Sequence, residues 1–333
     1  MALDPERRRQ LHAMKLRSLV SEYLGDSTQD VVGTDDGALA TLSRDRVAAL
    51  AEERPERALG GALASAVRAA ATEVHIFASG SSDVLARRAQ LFSSAITVWE
   101  VNDGDVTPAV ASDTATRKPV PDVPELVSTL NESGLEVVVE HGGIVGEIAG
   151  LEVARIISDQ YGNRIEVGVG AHDREVFALL HGNMPTVEAI EQVANVVRSH
   201  RLPAAEPHPL NRLGAERWLR SHLVTKPERV GASELVTAPP PVQRTNLKEA
   251  VPAVATGQLA DGTDVVVVCA VGIDLDLIPF AADARLFLDP QATLMVVIPE
   301  RDAHSILYEL ADQLIDPASV VPIDNDWREW TSS

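Results

Sequence analysis

Two aspartates, Asp274 and Asp276, follow the most apolar segment of the chain, residues 264–271. That segment predicts a strand buried on both faces, and because side chains alternate along an extended chain, both carboxylates are expected on one side of it. Ligands of α/β sheets bind at the carboxyl ends of strands, and Mg²⁺ prefers one or two carboxylates together with water or phosphate. Asp274 and Asp276 are therefore candidate ligands for Mg²⁺ or another divalent metal. Alternatively, they cap a helix that begins near Pro279 and keep the edge of a sheet soluble.

A second group of ionisable side chains follows the next predicted buried strand, residues 294–298, and consists of Glu300, Asp302 and His304. The carboxyl ends of neighbouring parallel strands lie at one edge of a sheet, so this group is expected beside the first. His304 is a candidate general acid or base for hydrolysis or transfer at a phosphate group.

A third group joins Glu152 to His172 and Asp173. Glu152 lies within a predicted strand at 144–157, and the other two follow a predicted strand at 164–169. If these strands pair in a meander, a carboxylate, an imidazole and a second carboxylate converge. That arrangement suits a metal ligand at Glu152 and acid–base catalysis by His172 and Asp173. The alternative is that Asp173 is a helix N-cap and that the glutamates and arginines of the strands form a ladder facing solvent.

A serine-rich segment, ASGSSD at residues 78–83, stands between a predicted strand and a predicted helix. Small residues there let backbone amides and hydroxyls approach an anion at the helix N-terminus, so Ser79, Ser81 and Ser82 are candidate binding residues. Over about fifteen residues the segment resembles the serine-rich turn of sugar isomerase (SIS) domains, and this resemblance implies binding of a phosphosugar. The alternative is that Ser81 or Ser82 is only the N-cap of the helix.

The elements that carry these residues predict a mixture of α/β and α+β structure. Near the N-terminus, an amphipathic helix at 11–24 and a hairpin about Asp36 precede helices and strands that alternate between 58 and 101. Such alternation is typical of a parallel or mixed sheet with crossover helices. The central region predicts a helix and an antiparallel meander of three strands between 135 and 169. The C-terminal region again predicts buried strands with crossover helices.

Prolines mark the expected boundaries between regions. They accumulate between 102 and 124 and occur three in a row at 239–241, where they predict a surface loop and a stiff connector. We therefore expect three regions, alternatively merged into two domains: an N-terminal α/β region at 1–118, a central α+β region at 122–235 and a C-terminal α/β region at 242–333.

The composition restricts the partners. The chain has 333 residues, 49 of them acidic and 29 basic, and a formal charge of −20. Such a charge repels nucleic acid and anionic lipid, so direct nucleic-acid binding is not expected, and a phosphate ligand requires a local arginine cluster, a helix terminus or a metal. The single cysteine, Cys269, excludes an internal disulfide,. Without a signal-peptide core or a membrane-spanning apolar segment, the sequence predicts a cytoplasmic protein with no membrane contact.

Three sequence segments resemble an uncharacterised conserved protein family of high-GC actinobacteria. They are LEVAR at 151–155, GVGAHDRE at 168–175 and VGIDLD at 271–276. The resemblance spans most of the chain and implies a source but no activity.

Three functional hypotheses therefore stay open: a divalent-metal-dependent enzyme acting at a phosphate group, a non-catalytic protein-interaction or regulatory module, and a phosphosugar-binding module. The sequence does not define the small-molecule or protein partner.

Overall fold

The computed structural model describes residues 4–27, 30–43, 45–181, 184–206, 208–243 and 249–330, without the side chains at 178, 180 and 181. Within these ranges the chain forms nine α-helices and fifteen strands in three sheets, which confirms the expected mixed α/β class. The chain divides into two compact units, each built from three segments. The first unit comprises Met1–Thr114, Ile273–Leu286 and His304–Val320, and the second comprises Ala115–Gly272, Phe287–Ala303 and Val321–Ser333.

A six-stranded sheet forms the first unit, with its strands in chain order across the sheet. They are β1 (Val31–Gly33), β2 (Gly37–Leu42), β3 (Arg46–Ala51), β4 (Glu73–Ala78), β5 (Ala95–Asn102) and β6 (Asp105–Pro108). β3, β4 and β5 are parallel, and the remaining neighbours are antiparallel. Parallel neighbours need a crossover connection, which α2 (Leu59–Ala69) and α3 (Ser82–Ala89) provide. The predicted parallel pair with crossover helices is confirmed.

The first helix, α1 (Pro5–Leu24), packs on this sheet. The Asp4 carboxylate accepts a hydrogen bond from the Arg7 amide and caps the N-terminus, whereas Gly25 ends the helix with a φ of +62°, a conformation that glycine adopts without steric cost. The apolar face of α1, including Leu16 and Val20, joins Phe77 in one buried cluster. The polar face of α1 is thereby held at a fixed place over the sheet.

Two later segments complete the first unit. They contribute most of α8 (Leu277–Leu288) and all of α9 (Ser305–Asp312), and Phe92 pairs with Leu314 in an isolated antiparallel bridge. The expected C-terminal region at 242–333 is therefore divided between the two units. The physical reason is that α8 supplies a buried carboxylate, Asp283, to arginines of α3.

A four-stranded antiparallel sheet in the second unit has the order β10-β9-β8-β7. Its strands are β7 (Glu136–Glu140), β8 (Gly143–Ile148), β9 (Leu151–Asp159) and β10 (Gly162–Val167), and α4 (Pro124–Glu132), α5 (Ala171–His181) and α6 (Thr186–His200) pack against it. The single strand predicted at 144–157 is wrong, because it is two strands. Ala149 and Gly150 both take positive φ values, +44° and +75°, and turn the chain back.

A five-stranded sheet, most of it in the second unit, has its strands in chain order. They are β11 (Ala232–Ala238), β12 (Ala253–Leu259), β13 (Asp264–Cys269), β14 (Thr293–Pro299) and β15 (Ser319–Ile323). β13 and β14 are parallel, as expected of consecutive buried strands. The helix α7 (Ala215–Thr225) packs on β11 to β13 and buries Trp218. None of the described helices is long and apolar enough to cross a lipid bilayer.

Candidate functional site

Asp274 and Asp276 lie in the turn that precedes α8, and each carboxylate forms an ion pair with an arginine. Arg57 Nη2 lies 2.6 Å from Asp274 Oδ2, and Arg88 Nη1 lies 3.0 Å from Asp276 Oδ2. The Gly60 amide donates to Asp276 Oδ1 at 3.2 Å. Both carboxylates therefore have cationic partners supplied by residues far away in the sequence.

Asp283 of α8 extends this arrangement into a buried ion cluster. The Arg87 guanidinium approaches it with two nitrogens, at 2.9 and 3.0 Å, and Arg88 Nε lies 3.0 Å from Asp283 Oδ2. Asp283 and Arg88 are 0% and 1% exposed. Burial raises the pKa of Asp276 to about 7, although the charge of Arg88 opposes the shift. The cluster fixes α8 and the preceding turn to α3.

The carboxylates of Asp274, Asp276 and Asp283 do not form a suitable site for a divalent cation. A guanidinium group already contacts each of these three aspartates, and it repels a second positive charge. Arg88 alone contacts both Asp276 and Asp283. Within the described ranges, no group of three His, Cys, Asp or Glu side chains lies close enough to hold a metal ion. The metal site predicted at Asp274, Asp276 and Glu152 stays a prediction, without support from this geometry.

Glu152 is likewise neutralised by arginines rather than joined to His172 and Asp173. Arg155 approaches it with two nitrogens at 2.9 and 2.7 Å, and Arg174 Nη1 donates at 2.6 Å. Glu152 is 3% exposed, whereas His172 and Asp173 are exposed on the first turn of α5. The Asp173 carboxylate accepts a hydrogen bond from the Val169 amide at 2.7 Å. These contacts give Glu152 and Asp173 structural partners.

His304 precedes α9 in an extended conformation and is exposed. Asp302, two residues earlier, accepts a hydrogen bond from the Gly272 amide at 2.8 Å. The acid–base role predicted for His304 stays a prediction.

A crevice of about 810 Å³ lies where β3, β4 and β5 end, and α1 forms its opposite wall. We call it the Lys15 crevice. Glu52 follows β3, Ser79 follows β4, and Asn102 ends β5. The carboxyl ends of parallel strands are the usual place for a ligand in an α/β sheet. The Lys15 crevice therefore has the location expected of a binding site.

Three polar side chains bridge the strand ends inside the Lys15 crevice. Lys15 Nζ lies 2.5 Å from Glu52 Oε1 and 3.3 Å from Ser79 Oγ, and the Ser79 hydroxyl donates to Glu52 Oε1 at 3.0 Å. The Ser79 amide also donates to the carbonyl of Ala51. An ammonium group has three donors and a carboxylate several acceptor positions. The triangle is thus held by the sheet and retains hydrogen-bonding capacity for a ligand.

The lining of the Lys15 crevice is acidic. Glu22, Glu52 and Asp103 contribute three carboxylates against the one ammonium of Lys15. The pKa of Tyr23, which also lines the crevice, is raised by burial and then by nearby carboxylates such as Glu22. This lining repels anions and attracts hydroxyl or ammonium groups.

Only one of the predicted serines lines the crevice. Ser79 does, whereas Ser81 takes a positive φ of 47° before α3 and Ser82 is buried in its first turn. Lys15 and Glu52 were not singled out from the sequence. The available signals were that Lys15 is one of only four lysines and that Glu52 follows the apolar run 47–51.

Comparison of the chain with protein-family models, with curated proteins and with solved structures found no match.

Proposed function

We propose that the first unit binds a small polyhydroxy molecule, a sugar or an amino sugar, in the Lys15 crevice, and that it does so as a non-catalytic module. The observation that carries this proposal is the triangle of Lys15, Glu52 and Ser79 at the ends of parallel strands. It offers both donors and acceptors within one small area, which is what vicinal hydroxyl groups require.

The charge of the lining narrows the class of ligand. Three carboxylates and one ammonium favour a neutral or cationic molecule over a phosphate ester,. The proposal therefore keeps the sugar that the serine-rich turn suggested and the residue Ser79, but not the phosphate. The paired state of Asp274 and Asp276 with arginines supports a module without metal-assisted chemistry.

The test is calorimetric titration of the full chain with a neutral sugar, an amino sugar and a sugar phosphate at one ionic strength. We expect saturable binding of the neutral or amino sugar and weaker binding of the phosphate. Glu52→Gln removes the carboxylate that Lys15 and Ser79 share, so it should weaken binding about tenfold, equivalent to about 1.4 kcal/mol.

Glu53→Gln is the matched control, because Glu53 is the next residue along the chain but does not line the Lys15 crevice. Equal weakening by both variants would show that the effect is general electrostatics. Tightest binding of the sugar phosphate, or no binding of any of the three compounds, would refute the proposal.

A further inference from the structure

Two arginines of the second unit lie against buried tryptophans. The guanidinium carbon of Arg201, at the C-terminus of α6, lies 4.4 Å from the centre of the Trp218 ring. That of Arg328 lies 4.2 Å from the centre of the Trp327 ring and 5.8 Å from that of Trp218. We call these four residues the arginine–tryptophan cluster.

Three buried donors of the cluster have no hydrogen-bond partner within the described part of the chain. Arg201 is 6% exposed, and its Nη2 donates to the carbonyl oxygens of Leu210 and Leu213. Its Nε and Nη1 and the indole Nε1 of Trp327 find no hydrogen-bond partner among the described residues. Because buried polar groups are nearly always hydrogen-bonded, three unsatisfied donors in one cluster point to an acceptor that comes from outside these residues.

The charge of Arg201 is poorly balanced. Burial, and then the charge of Arg328, lowers the pKa of Arg201 to about 10, so it stays protonated at neutral pH. The carboxylate that attracts it, Glu147, is itself paired with Arg217 and Arg220.

Arg328 also has acidic neighbours, which limit the charge of the cluster without removing it. Burial, and then the charge of Arg301, lowers the pKa of Arg328, whereas Glu216 and Asp302 act in the opposite direction. Arg301 Nε lies 3.9 Å from Asp302 Oδ1, so three arginines, Arg201, Arg301 and Arg328, stand against the two carboxylates of Glu216 and Asp302. A positive region therefore persists locally in a chain whose net charge is −20.

The position of the cluster in the fold is that of a ligand site. Of the cluster, Arg328 follows β15 within five residues. Arg301 is not a member of the cluster, but its charge acts on Arg328, and it follows β14 within two residues. β14 is parallel to β13, and ligands of such sheets bind beyond the carboxyl ends of the strands. Guanidinium groups are also the side chains best suited to the oxygens of a phosphate.

We infer that the arginine–tryptophan cluster binds the phosphate group of a small molecule, with Arg201 and Arg328 as its cationic contacts. Phosphate fits better than a carboxylate because it offers more acceptor oxygens to the several unsatisfied donors and more charge to two guanidinium groups. The same chemistry is offered by inorganic phosphate and by a phosphate ester. This site is independent of the Lys15 crevice.

The test is titration of the full chain with inorganic phosphate and, separately, with glycerol phosphate, with chloride at equal ionic strength as the blank. We expect saturable binding of phosphate that Arg328→Gln weakens about tenfold. Arg229→Gln is the matched control, since its guanidinium lies on another ring, that of Trp330, at 4.0 Å; it should bind phosphate as the unmodified chain does. Glu52→Gln should also leave phosphate binding unchanged, which separates this result from the fate of the sugar proposal.

Tighter binding of glycerol phosphate than of inorganic phosphate would support the site and identify a phosphate ester as its ligand, and equal binding would support the site with free phosphate. No saturable binding beyond that of chloride, or equal losses in Arg328→Gln and Arg229→Gln, would overturn the inference. If circular dichroism shows that Arg328→Gln does not fold, the exposed Arg301→Gln replaces it, with a loss of about threefold expected. An unchanged affinity in that variant would then also overturn the inference.

Discussion

Arg88 contacts two buried carboxylates at once, those of Asp276 and Asp283. The second unit contains a similar buried ion cluster, in which Arg217 and Arg220 each contact both Glu140 and Glu147. Guanidinium groups suit such sites because they stay charged and present several donors in one plane. Removing one partner of a buried pair leaves an uncompensated charge, which costs about 3–5 kcal/mol. Three of the acids that looked reactive in the sequence, Asp274, Asp276 and Glu152, have arginine partners.

Asp276 should make the stability of the protein depend on pH. Burial raises its pKa from 3.8 to about 7, so between these values the folded chain binds a proton that the unfolded chain does not. Protonation then favours folding, and the free energy of unfolding should fall as the pH rises through this range. Asp276→Asn cannot titrate, so its stability relative to the unmodified chain should be higher at about pH 8 than at about pH 5, by on the order of 3 kcal/mol.

Urea denaturation of both chains at the two pH values measures this difference. Asp274→Asn is the matched control, because Asp274 lies in the same turn and pairs with a partly exposed Arg57; it should lose that ion pair at both pH values. A difference between Asp276→Asn and the unmodified chain that does not change with pH would contradict the assignment.

At the scale of elements, Gly60 lets α2 approach the turn that carries Asp276. A Cβ at Gly60 would lie 1.9 Å from the carbonyl oxygen of Leu275, whereas a Cβ at Gly61 would meet no atom within 4 Å. Gly60→Ala should therefore push the two segments apart and weaken the amide contact to Asp276, destabilising the protein by about 2 kcal/mol or more. Gly61→Ala should stabilise it by about 1 kcal/mol, because alanine is the better helix former.

Thermal and urea unfolding of the two alanine variants give the comparison directly. The two substitutions add the same methyl group to the same helix, but we expect them to change the free energy of unfolding in opposite directions. A Gly60→Ala chain as stable as Gly61→Ala would show that α2 and the turn do not need this close approach.

On the scale of the molecule, the first unit is not a continuous stretch of chain. It takes Ile273–Leu286 and His304–Val320 from beyond the second unit's main segment. A fragment covering the predicted N-terminal region, 1–118, therefore lacks Asp276 and Asp283. Arg87 and Arg88 would lose their carboxylate partners and keep hydrogen bonds to residues within the fragment, such as Ser112 and the Glu56 carbonyl. Each broken ion pair costs about 3–5 kcal/mol, against a total stability of about 5–15 kcal/mol for an ordinary domain.

We expect fragment 1–118 not to fold on its own. Circular dichroism and a proton–nitrogen NMR spectrum of the purified fragment are the measurements, with the full chain as the reference. A cooperative thermal transition and dispersed amide signals from the fragment alone would contradict the interleaved organisation of the unit.

The excess of acid is also a property of the whole chain rather than of one site. Asp274, Asp276, Asp283 and Glu152 all have arginine partners. The carboxylates that line the Lys15 crevice, those of Glu22, Glu52 and Asp103, shape the proposed ligand preference instead.

The sequence by itself determined the α/β class, the parallel pair β4 and β5, and the buried strands β13 and β14, because each depends on a local apolar pattern. It did not separate β8 from β9, since the turn at Ala149 and Gly150 interrupts no apolar pattern, and it missed β3, β6, β11 and β12. Ser79 was found from its place between a strand and a helix.

Only the tertiary structure decided what faces each polar side chain. Arg88 and Asp276 are 188 residues apart in the chain, and Lys15 and Ser79 are 64 apart. Periodicity tells which side of an element a residue faces, but the partner on that side is chosen by packing between distant segments.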